Sequence, residues 1–133
     1  MLAYSSLLTI SGDPSTVATI GQRLERTIEG QLRPVKRMVD GQVLSSFSLW
    51  SSNELHTSNP DDAEEQLCGL LGRAEAALRT SGIGSARLIA QVVVRVRDGE
   101  CRGFYFSPMT VVAASKIGAA LEVEADAMWN EPT

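Results

Sequence analysis

Three Xaa-Pro steps constrain this chain more than any other feature. Asp13-Pro14, Asn59-Pro60 and Ser107-Pro108 each set a side chain that can accept a hydrogen bond directly before a proline. That pairing suits the start of a helix. The side-chain oxygen takes an unpaired backbone N–H, and proline loses nothing by having none. Each step is followed by apolar residues at helical spacing. Val17, Ile20, Leu24 and Ile28 predict a first helix to about Thr27 or Ile28, with Gly30 as its stop. Ala63, Leu67, Leu70, Leu71, Ala74 and Leu78 form a stripe that predicts a second helix over 60–80, closed by Gly82 and Gly84. Its acidic residues Asp61 and Asp62 sit at the positive end of the helix dipole. The third helix is predicted from Met109 to about Ile117, ended by Gly118.

The segments between helices alternate as strands do. Leu2 to Ile10 places Tyr4, Leu8 and Ile10 on one face and Leu7 on the other. Two β-type runs, Arg33 to Val39 and Gln42 to Ser51, flank Asp40-Gly41, a dipeptide suited to the positive φ of a tight hairpin turn. Pro34 lacks an N–H and belongs at the start or edge of its strand. Ser51 to Asn59 reads as a polar surface connection. Leu88 to Val96 is almost continuously apolar and rich in valine, as a strand covered on both faces would be. Asp98-Gly99 predicts a second hairpin returning through Cys101 to Phe106, and Leu121 to Met128 is the last strand. The expected fold is α+β: one domain over 1–133, in the order β-α-β-β-α-β-β-α-β. Three helices cover one face of a mainly antiparallel sheet of about six strands.

Composition removes several function classes. Hydrophobic residues make up 44% of the 133, enough for an ordinary core. The net charge of −4 weighs against nucleic-acid binding, which relies on Lys and Arg at phosphates. Cys68 and Cys101 are far apart without a CxxC or a histidine-rich companion, so they are expected as buried reduced thiols and no metal site is assigned. The first ten residues lack the pattern of a secretory signal, and no apolar run reaches the ~20 residues of a membrane span. The expectation is a cytoplasmic protein.

Catalytic motifs are missing. His56 is the only histidine and lies in a polar stretch, where a surface histidine is expected. No GxSxG, GxGxxG or GxxxxGK[ST] occurs, and the glycine-rich 81–85 precedes a strand, whereas phosphate loops precede helices. The expectation is a protein that is not an enzyme and holds no cofactor.

Two charged rows remain. Arg95 and Arg97 alternate along one strand, and Glu122, Glu124 and Asp126 alternate along the last. Both rows suit a solvated face or cross-strand pairs. The acidic row also suits a basic patch on a partner protein, with Trp129 just beyond as an apolar anchor. Trp50, at the end of a strand, is expected to cover the edge of the core.

The chain as a whole resembles the family known as domain of unknown function 4279, small bacterial proteins. The residues that carry the resemblance are Ser11-Gly12-Asp13-Pro14 with Ile20-Gly21, Leu49-Trp50-Ser51-Ser52 before the helix around 62–71, Phe106-Ser107-Pro108, and Ile117 to Val123. The chain departs from that pattern at Ala127-Met128-Trp129, where a shorter aspartate-aromatic ending is expected. The resemblance implies an α/β fold and brings no catalytic residues. It also implies a toxin–immunity setting, hence an immunity protein that binds and neutralises a cognate toxin, with a basic toxin as partner. The alternatives are a small-molecule-binding or regulatory domain, or a structural oligomerisation module.

Overall fold

The strand at the centre of the sheet comes first in the sequence. The computed structural model describes residues 3–78, 84, 86–97 and 104–128. Within them, β1 (Ala3–Gly12) leads to α1 (Pro14–Leu24), β2 (Gly30–Val39), β3 (Gln42–Ser52), β4 (Leu55–Thr57), α2 (Pro60–Leu78), β5 (Arg87–Arg97), α3 (Pro108–Ser115) and β6 (Ala120–Met128). The sheet runs β2-β3-β1-β5-β6, and β4 pairs with β1 beyond the end of β3. All pairings are antiparallel except β5 with β6. Those two are parallel because α3 carries the chain back across the sheet between them. The fold is therefore α+β, three helices against a six-stranded, mostly antiparallel sheet.

Alternation along β1 decides which side of the sheet is covered. Tyr4, Leu8 and Ile10 join Val17, Ile20 and Leu24 of α1, Leu67, Leu70 and Leu71 of α2, and Leu88, Ala90, Val92 and Val94 of β5 in one core. The predicted stripe of α2 is buried in full. Trp50 has no exposed surface, so it lies deeper than the core edge expected of it. Its ring explains two glycines. A Cβ at Gly21 would lie 2.5 Å from Trp50 Cδ1, and one at Gly30 only 2.2 Å from Cζ2. Gly30 opens β2 opposite Ser52, where it leaves room for the indole.

The helix starts follow the capping chemistry at two of three sites. Asp13 accepts from Thr16 N, and Asn59 accepts from Asp61 N and Asp62 N. The Ser107 side chain makes no such bond; its backbone N–H instead donates to the carboxylate of Glu64 on α2. The Asp40-Gly41 hairpin forms as predicted, with φ of 52° and 75°.

Four expectations need correction. α1 stops at Leu24, though Ile28 remains in the core through one further turn closed by Ile28 N donating to Leu24 O. Part of the polar 51–59 connection is strand: Asn53 N donates to Glu29 O, and pairing with β1 then resumes through Leu55, which packs on the core. Phe104 to Phe106 are not a strand, and the Asp98-Gly99 turn lies outside the described residues. β5 is covered by helices on one face only; on its other face Val93 is buried, whereas Ile89 and Gln91 are half-buried.

Candidate functional site

Among the described residues strand β6 is an edge, and parity divides its side chains. Register pairs Glu122 with Gln91, Glu124 with Val93 and Asp126 with Arg95. Gln91 in turn pairs with Leu7, which lies on the side of β1 away from the helices. The acidic row therefore stands on the open face, with the ~7 Å spacing that alternate residues of a strand impose. All three acids are exposed. Gln91 Nε2 donates to Glu122 Oε1 at 2.8 Å and to Glu124 Oε2 at 3.0 Å. A neutral amide thus fixes the two glutamates in register without neutralising them. Trp129, the expected anchor, lies outside the described residues.

A second polar group lies on the same face, and the sequence did not reveal it. Ser5 Oγ and His56 Nδ1 share a hydrogen bond of 2.8 Å, and His56 Nε2 lies 3.7 Å from Glu54 Oε2. Serine, histidine and carboxylate are the ingredients of a nucleophilic triad. The geometry works against one. Ser5 is fully buried beneath the histidine, so no acyl group reaches its oxygen. The carboxylate is also too distant to fix the imidazole through a hydrogen bond. His56 itself is 65% exposed, in keeping with the surface histidine expected. It borders a shallow concavity of about 490 Å³ that includes Thr9, Gln31, Arg33 and Asn53. Only the pairing of β4 with β1 joins Ser5 to His56, and nothing local in the sequence signals that pairing.

The third cluster joins two helices. Glu64 accepts hydrogen bonds from Ser107 N and from Thr110 Oγ1. Burial of this carboxylate works against its ionisation, but the bonds from Ser107 and Thr110 outweigh that and hold it below the usual glutamate range. Cys68 Sγ lies 3.2 Å from Thr110 Oγ1. The thiol is half-buried, which corrects the expectation of a fully buried one, and Cys101 lies outside the described residues. The hydrogen bonds of Glu64 Oε1 and the contact of Cys68 with Thr110 join α3 to α2, so the cluster reads as structural.

Among the described residues no group of three or more His, Cys, Asp or Glu could hold a metal ion, and no helix is long and apolar enough to cross a membrane. No family model matches the chain, and no curated protein matches it. Among solved structures, the chain is similar to one titled "De novo designed protein Foldit4", over 68% of this chain and 94% of that one, at 7% identity and a TM-score of 0.29, a likeness too slight to carry an argument.

Proposed function

We propose that this chain is a non-enzymatic protein-binding domain whose contact surface includes the acidic row of β6. The observation that carries this reading is the row itself: Glu122, Glu124 and Asp126, exposed on one face of an edge strand, with two of the acids held by Gln91. Charges in fixed register steer a basic partner and select its orientation more than they add affinity. The concrete form of the reading is an immunity protein that neutralises a basic toxin, an idea supported by the family resemblance and the net charge of −4. The inaccessible oxygen of Ser5 supports the non-enzymatic half.

The test is association kinetics between the full chain and the product of an adjacent gene, at two salt concentrations. Reversal of Glu122, Glu124 and Asp126 to Lys should slow association severalfold, and the difference should shrink as salt rises. Association unchanged by the reversal would remove the acidic row from the interface. Turnover of a substrate that stops with His56→Ala would remove the non-enzymatic reading.

A further inference from the structure

The helix α3 is turned with its small residues inward. Thr110 and Ala114 are buried, whereas Met109 is 78% and Val112 is 53% exposed. Successive residues step 100° around a helix, so Val112 lies 200° from Thr110, the residue that meets Glu64 and Cys68 of α2. Val112 therefore faces away from α2, with Met109 and Val111 exposed on its flanks. Apart from α2, the element α3 packs on is β6, so this apolar side forms the outer margin of the helix layer. On the same side of the sheet, Val123 of β6 is 39% exposed and Ala125 is exposed as well. Tyr105, just before the helix, is another exposed large apolar residue. A run of apolar side chains without cover on a small protein marks an interaction surface more often than an accident.

Strand β6 thus separates two unlike surfaces, carboxylates on the open face and apolar side chains on the helix face. Its outer edge is paired with no strand among the described residues. We propose that this edge accepts an added strand from a partner protein, an extended segment in which basic and apolar side chains alternate. The inference rests on the protein-binding reading above and names the partner's chemistry. An added strand satisfies the edge N–H and C=O groups. Its period of two sends basic side chains to Glu122 and Glu124 and apolar ones to Val123 and the margin of α3. A second copy of this chain centred on Val123 does not fit. Two β6 strands joined about a two-fold axis at Val123 would set Glu122 of each against Glu124 of the other, like charges directly opposed.

The probe is a synthetic nine-residue peptide alternating Lys and Val, equal in length to β6. Its controls are an isomer with Lys and Val in two blocks, a Glu–Val alternating peptide, and the Lys–Val peptide methylated on alternate backbone nitrogens. Binding to the full chain is read by fluorescence anisotropy, and amide exchange is followed across 120–128. The alternating Lys–Val peptide should bind about tenfold tighter than each control and slow exchange along β6. Val123→Glu should weaken it by a similar factor with the unfolding midpoint unchanged. Met109→Asp, on the exposed side of α3, replaces that variant should it unfold. If the block isomer binds equally, leaves β6 amides unprotected and is lost on Glu122→Lys with Glu124→Lys, strand addition is overturned while acidic docking stands. If no peptide binds, strand addition is overturned, and the acidic row is judged by its own kinetic test.

Discussion

The two margins of the helix layer are packed by opposite rules. At one, beside β3 and α1, the largest side chain of the interior is enclosed completely, and Gly21 and Gly30 give way to its ring. Trp50 Nε1 still reaches a carboxylate, donating to Glu25 Oε1 at 3.0 Å, so the indole keeps its polar end satisfied. At the other margin, α3 is docked through threonine, alanine and a glutamate from α2, while its methionine and valines face outward. Apolar bulk at the first margin is committed to stability. At the second it is left available, and a polar staple does the holding. Buried area alone would not have separated a structural end from an end free to meet another molecule.

The contrast can be broken most directly at Trp50. Trp50→Ala should cost about 3–5 kcal/mol in denaturant unfolding, because the ring's neighbours cannot collapse into the hole. A loss near zero would mean that the tryptophan end is no better packed than the α3 end. Next in size is Gly30→Ala, expected at about 1–3 kcal/mol from the clash with the indole and with Ser51 O at 2.8 Å. Gly21→Ala should behave alike, and pairing either change with a smaller residue at position 50 should recover part of the loss.

Glu64→Gln probes the staple and should cost about 1 kcal/mol at neutral pH, the scale of a lost helix cap. The folded-state pKa of Glu64 is lowered, so its contribution is fully present above the ordinary value of 4.5. It is lost as pH falls through the lowered folded value. The gap between wild type and variant should therefore close on acidification. A gap that widened in acid would show that the hydrogen bonds do not depend on the ionised carboxylate. The smallest effect belongs to Met109→Ala and Val112→Ala, each expected within about 0.5 kcal/mol of wild type. Larger losses would mean that these side chains are already part of the core, and the apolar margin would no longer be a docking surface.

The parts legible in the sequence are those governed by neighbours along the chain. The α2 stripe, the Asp40-Gly41 turn and the acidic alternation of 121–128 each carry their structural meaning in a few adjacent residues. The parts that were not legible depend on what another element brings. β4 is three residues long and sits between polar neighbours, so only its pairing with β1 makes it a strand. The cap on α3 comes from Glu64, distant in sequence, although Ser107 stands at the usual place. The facing of α3 was hidden because apolar residues occur on all its sides, leaving no stripe to point inward. The acidic row could be read as a row, but not the amide of Gln91 that sets its register.

The position of β1 has a consequence for how the chain is made. Its partner on one side, β5, pairs Ser11 with Arg87 and Ala3 with Arg95, so during synthesis β1 waits for that partner until α1, β2, β3, β4 and α2 have been made. Meanwhile the β2–β3 hairpin, whose internal pairing is local, is free to close and to dock on the other side of β1. For that interval a strand containing Leu7, Leu8 and Ile10 offers an unpaired edge, the kind of surface on which nascent chains stick to one another. Chaperone demand during synthesis should therefore depend on how soon β5 emerges, and a slow stretch of translation between α2 and β5 would lengthen the exposure.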